Sequence, residues 1–185
     1  MKNTSNTISF PSNLIHRTLH GRMLSLMFLL LGALIGITWL MVYIMVSSIL
    51  EEYIGRNALN VSKAVSLTTV VQEGLKNNNA SKIQMYAESV RKATGARFVV
   101  VGDHEGRRYS HPVPERIGKF MVGGDNPRAL EKGEAYVSKA IGTLGPSMRG
   151  KVPIFDDAGK VIGVVSVGYL QETVKSVTEG HLQRV

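Results

Sequence analysis

The sequence predicts an α+β domain, five antiparallel strands with flanking helices, carried behind one membrane-spanning helix. Three observations lead there: an uncharged apolar run near the amino terminus, helical periodicity directly after it, and β-branched runs punctuated by glycine turns in the second half. The chain has 185 residues, 44% hydrophobic and 19% charged, with five Phe, six Tyr and one Trp. That suffices for one domain of ordinary size plus a membrane segment, and it excludes a chain disordered throughout. Cysteine is absent, which removes disulfides, thiolate metal sites, iron–sulfur clusters and cysteine nucleophiles together.

Met23 to Leu50 is a run of 28 residues without a charge, bracketed by Arg22 and Glu51. About 20 apolar residues cross a bilayer, whereas the apolar region of a signal peptide runs only about 7–15. Residues 23–50 therefore read as a transmembrane helix, preceded by an amino-terminal tail of residues 1–22. The tail carries Lys2, Arg17 and Arg22 and no acid, while Glu51 and Glu52 open the far side. Retention of basic flanks places the tail in the cytoplasm and residues 51–185 outside. That outer part holds 19 Lys and Arg against 14 Asp and Glu, a basic balance that never meets the chromosome, so no nucleic-acid partner is expected.

From Tyr53 to about Leu75, Val61, Ala64, Thr68, Val71 and Leu75 recur at helical spacing, predicting one long helix that continues the span. Asn77-Asn78-Asn79 breaks it, and Ser81 is placed to cap a second helix through about Thr94, with Ile83, Tyr86, Val90 and Ala93 on one face. Strands are predicted at Phe98 to Val101 and Arg107 to Ser110, a hairpin turning through Gly102-Asp103 and Glu105-Gly106. An irregular stretch from His111 to Asp125 follows, and Asp125 is placed to cap a short helix, Asn126 to Lys132. Tyr136 to Ala140, Met148 to Phe155 and Lys160 to Leu170 are three further strands, and the chain turns helical from Gln171. The domain is bounded at residues 51–175, with 176–185 as a connector toward a second membrane helix absent from the chain. This element order matches a PAS-like sheet with helices packed on one face.

Several residues have the chemistry of a ligand site. Arg108-Tyr109-Ser110-His111 sets a guanidinium and an imidazole at a strand end, which fits either half of a carboxylate clamp or a solvated strand with a loop histidine. Arg149 and Lys151 stand two apart on a strand and project from one face. Two neighbouring cations repel unless an anion lies between them or solvent bathes them, so they mark an anion site or an exposed basic edge. The turn before them, Gly142-Thr143-Leu144-Gly145, offers a hydroxyl and free N–H groups. Ser166 in its apolar strand is a core hydroxyl or a ligand contact; with Val164 where glycine is required, it is no nucleophile elbow. Gly145, Gly150 and Lys151 imitate a phosphate-binding loop, but Val152 cannot bind magnesium and a strand follows. His104, His111 and His181 lack ligand spacing, so neither a metal nor a cofactor is expected.

Together, Arg108-Tyr-Ser-His111-Pro, Ile117-Gly118-Lys119, Gly123-Gly124-Asp125, Tyr136-Val-Ser138, Gly142-Thr-Leu-Gly145, Arg149-Gly-Lys151 and Val161 to Gly168 resemble the sensor region of the bacterial citrate and four-carbon dicarboxylate sensor histidine kinases (the CitA/DcuS family), over about residues 54 to 175. The resemblance implies an extracytoplasmic PAS-like domain in the inner membrane that holds a small carboxylate and works as a homodimer. It assigns Arg108, His111 and Arg149 to carboxylate binding in both branches, and Thr143, Lys151 and Ser166, with backbone near Leu144, to the additional citrate contacts. Val100 stands where the citrate branch has a threonine, and Met121 where the dicarboxylate branch has an aromatic residue. Citrate is favoured, with malate, fumarate and succinate as the alternative ligands. A chemoreceptor ligand domain is a rival reading, and a membrane-tethered enzyme is a weaker one. No phosphoacceptor histidine region or ATP-binding domain lies within these residues, so the chain alone is expected to phosphorylate nothing.

Overall fold

A computed structural model describes residues 13–170 of the chain. The expected helix from Gln171 and the connector at 176–185 lie outside the described residues. Contacts divide the chain into two compact units, meeting between Val46 and Ser47. Helix α1, Asn13–Ser66, runs through that boundary. In the first unit its side chains from Leu19 onward are exposed and almost wholly apolar, including Phe28, Trp39 and Met41. Exposed apolar groups on every side of a helix suit lipid, and α1 is long and apolar enough to cross a membrane.

In the second unit α1 ends at Ser66, earlier than the periodicity predicts, and α2 occupies Thr69–Lys76. Ser66 Oγ donates to the Lys63 carbonyl at 2.9 Å and Thr68 Oγ1 to the Val65 carbonyl at 2.7 Å. Hydroxyls that take carbonyls within their own turn compete with the helical ladder, and here two of them fall at the break. Helix α3, Ala80–Thr94, is capped by Asn79, whose side chain accepts from the Lys82 N–H at 3.0 Å. The expected cap, Ser81, lies inside the helix. Gly95 closes α3 in the left-handed conformation with φ +67°.

Four antiparallel strands, β1 Phe98–Asp103, β2 Tyr136–Gly142, β3 Gly145–Phe155 and β4 Val161–Leu170, pair in the order β1-β4-β3-β2. The predicted fifth strand, Arg107 to Ser110, is reduced to isolated bridges between Gly102 and Arg108 and between Arg107 and Phe120. Its regular pairing fails because Ser110 intrudes with a side chain: Oγ accepts the Val101 N–H at 2.8 Å and lies 3.2 Å from the Val99 carbonyl. The short helix α4 is confined to Pro127–Leu130, and Asp125 does not cap it; Asn126 precedes Pro127 and makes no side-chain cap.

Alternation along the strands sorts the sheet into two faces. Val99, Val101, Val165, Val167 and Ile154 point toward the helices and form the core with Val65, Val71, Leu75, Ile83 and Ala87. α1 is pinned to the centre of that face by Ser62, fully buried, whose Oγ lies 2.8 Å from the Gly150 carbonyl and accepts the Val167 N–H at 3.2 Å. Gly150 and Val167 are register partners. A Cβ at Gly150 would collide with backbone atoms of Ala58 and Leu59 in α1, so only glycine lets the helix this close. Gly150→Ala should therefore destabilise the second unit by ~3 kcal/mol, because main-chain atoms cannot step aside as a side chain can. Urea unfolding would check it, and a loss under about 0.5 kcal/mol would contradict the close approach.

Candidate functional site

The opposite face of the sheet collects the polar residues. Register places Val100, Ser166, Lys151 and Tyr136 in one row across β1, β4, β3 and β2, and Phe98, Gly168, Arg149 and Ser138 in the next. Gly168 has no side chain because the Phe98 ring lies across it, and that ring stands 5.8 Å from the Arg149 guanidinium carbon. Gly142 and Gly123 are likewise bare where the Arg149 guanidinium passes. The guanidinium is thus held by absent side chains as well as by bonds: Nε donates to Ser147 Oγ at 2.9 Å and Nη2 to the Ala140 carbonyl at 3.1 Å.

Beside Arg149 is a small hollow of about 30 Å³, room for a water molecule or two. Arg108, His111, Met121, Thr143, Leu144, Arg149 and Ser166 all line it, with Phe98, Val100, Val122 and Gly142 completing the wall. Seven of the eight residues singled out in the sequence therefore converge on one cavity. Met121 belongs there because its sulfur fills the space over Gly102. Lys151, the eighth, sits behind the wall with 0% exposure. Its amine bonds Asn126 Oδ1 and lies 3.2 Å from Asp125 Oδ1.

His111 is positioned by its backbone, since Gln84 of α3 accepts its N–H at 2.9 Å and donates to its carbonyl at 3.0 Å. Its Nδ1 lies 2.9 Å from the Val113 nitrogen and 3.1 Å from the Val113 carbonyl oxygen, and its Nε2 lies 3.1 Å from Thr143 Oγ1. Burial, with Arg108 and Arg116 nearby, holds His111 below its ordinary pKa of 6.5, so the ligand-free site carries a neutral imidazole at pH 7 rather than a fourth cation. Arg108 is only 4% exposed, and burial, Arg116 and Arg149 all disfavour its charge. Among the described residues no acidic side chain forms an ion pair with it.

Asp125 was read as a helix cap and as part of the Gly123-Gly124-Asp125 motif, with no binding role, yet its carboxylate pairs with two of the cations. Oδ1 lies 3.4 Å from Arg149 Nη1 and 3.2 Å from Lys151 Nζ, and Oδ2 accepts from Ser138 Oγ at 2.8 Å. The signal available in the sequence was the pair Arg149 and Lys151, whose mutual repulsion calls for an acid nearby. Phe98 and Ser138 gave no sequence signal of a role here.

A sheet with helices on one face and a hollow lined by cations on the other defines a small-molecule sensor domain. Residues 45–183 match the family described as Single cache domain 3, and the chain belongs to that family, in the group that forms the sensor regions of the citrate and four-carbon dicarboxylate sensor histidine kinases. It is 57% identical over 129 residues to the sensor protein CitS of Halalkalibacterium halodurans, covering 69% of this chain and 24% of that one. With the sensor histidine kinase CitA of Klebsiella pneumoniae the identity is 39% over 127 residues, covering 69% and 23%. The crystal structure of the Escherichia coli DcuS sensor domain superposes with a TM-score of 0.65 at 34% identity, covering 69% of this chain and 96% of that domain. The chain spans about a quarter of the length of these curated relatives.

Burial lowers the Lys151 pKa from 10.5 to about 8, against the opposing pull of Asp125. Between those values the unfolded chain binds the extra proton, so stability rises with pH across that window and the burden is full below it. Relative to Lys151→Met, the wild-type chain should gain ~2 kcal/mol of stability between about pH 7 and about pH 9.5. Chemical denaturation at both pH values tests this, and a constant difference would show that the amine is not depressed.

Proposed function

We propose that the chain is the sensing segment of a two-component histidine kinase, that residues 51–175 hold a small di- or tricarboxylate outside the cytoplasmic membrane, and that citrate is the favoured ligand. Arg108 carries this reading. Its guanidinium is 4% exposed, has no acidic partner among the described residues and lines the same hollow as the Arg149 guanidinium. Such a charge costs several kcal/mol unless an anion meets it, and a ligand carboxylate is that anion. The His111 ring and the hydroxyls of Thr143 and Ser166 add polar groups around the same space.

The third cation, Lys151, supports citrate, since a tricarboxylate makes fuller use of three positive groups than a dicarboxylate does. The identity of 57% to CitS against 37% to DcuS of Escherichia coli supports the same branch. The likeness to the DcuS domain favours a four-carbon dicarboxylate as the second reading. The basic flank before α1 supports a cytoplasmic amino terminus in a bacterial inner membrane. Homodimers and transmission of the signal across the membrane complete the proposal on the family resemblance.

Calorimetry on the full chain in detergent should show citrate binding that Arg108→Ala or Arg149→Ala weakens by about 100-fold or more, since each removes hydrogen bonds to a charged group. In a thermal-shift panel of citrate, isocitrate, malate, fumarate, succinate and tartrate, citrate should give the largest shift. Near-normal affinity in both variants would remove the site, and a flat panel would remove the function.

A further inference from the structure

Asp125 is placed where a ligand group would be expected. We propose that its carboxylate is a built-in competitor for the site: in the ligand-free domain it occupies the anion position between Arg149 and Lys151, and a carboxylate ligand binds by displacing it. This inference rests on the carboxylate-sensor reading and gives it a further determinant, one that sets the ligand concentration at which the domain responds.

Arg149 is 3% and Lys151 0% exposed, and they project from the same face of β3. Two buried cations so arranged need an anion, and Asp125 Oδ1 contacts both. Its contacts to them, 3.4 Å and 3.2 Å, are longer than the about 2.7–2.9 Å of a tight charge-assisted bond, whereas its contact with Ser138 is 2.8 Å. The carboxylate is therefore anchored at the hydroxyl and loosely engaged with the cations, the arrangement expected of a group that yields to a better-fitting anion.

The backbone around it suits such movement. Gly123 and Gly124 precede it with φ of +126° and +68°, conformations in which glycine has wide freedom. The same segment closes the hollow through Val122, whose carbonyl accepts from Arg149 Nη1 at 3.4 Å. Val122 stands in the wall of the hollow beside Arg149, so withdrawing this segment enlarges the space open to a ligand. Withdrawing Val122 and Gly123 carries Asp125 with them and uncovers Arg149 and, behind it, Lys151.

Asp125→Asn keeps an oxygen for Ser138 and removes the charge. In the full chain, calorimetry should then show citrate binding about tenfold tighter than wild type, together with a lower melting temperature of the ligand-free protein, because Arg149 and Lys151 lose their internal anion. Ser138→Ala leaves the charge and loosens its anchor, and should tighten citrate binding by a smaller factor; it decides the matter alone if Asp125→Asn does not fold even in excess citrate. A merely structural Asp125 predicts the opposite sign, weaker binding in step with lost stability. If wild type binds citrate and affinity in the variants stays level or falls, the competitor role is overturned while the site stands. If wild type binds no carboxylate of the panel, the proposed function fails first.

Discussion

The structure depends on a concentration of positive charge where water is scarce. Arg108, Arg149 and Lys151 are each less than 5% exposed and share one face of the sheet, so their mutual repulsion is not screened by solvent. Asp125 is the single acid that the described residues bring into an ion pair with them, and it reaches only two of the three. The fold thus holds a standing excess of positive charge around a small hollow. Desolvation pushes all three cations toward lower pKa, and the domain tolerates this because the other face of the sheet packs an apolar core.

Glycines shape the site by what they leave out. Gly168 makes room for the Phe98 ring, Gly102 for the Met121 sulfur, and Gly142 and Gly123 for the Arg149 guanidinium. These large groups occupy the space that the missing side chains leave, which helps to fix the direction in which the guanidinium points. A receptor for a rigid anion gains specificity when its cations are held before the ligand arrives, because less ordering is required on binding.

Much of this was legible in the sequence. The apolar run, the strand periods and the alternation of Arg149 and Lys151 are local properties that placed the sheet and its polar face, and the family resemblance added the rest of the seven expected residues among the eleven that line the cavity. The misreadings were cases where a side chain took over a backbone role or the reverse. Ser110 satisfies Val101 from the side and so prevents a regular fifth strand; Ser66 and Thr68 turn their hydroxyls onto their own helix and end it. Asn79 rather than Ser81 caps α3 because its side chain reaches Lys82 N from one position outside. Asp125 was hidden for another reason: its partners lie 13, 24 and 26 residues away, and only tertiary pairing of β2 with β3 brings them together.

The missing side chain at Gly150 has a mechanical meaning. On strand β3 the odd-numbered neighbours Arg149 and Lys151 face the polar side of the sheet, while Gly150 between them rests on the main chain of α1, with Ser62 bonded across the seam. One strand's thickness separates the two surfaces, and nothing compressible fills the gap. Any bending of β3 at this point is therefore felt by this turn of α1, as a push on a rod and not on a spring.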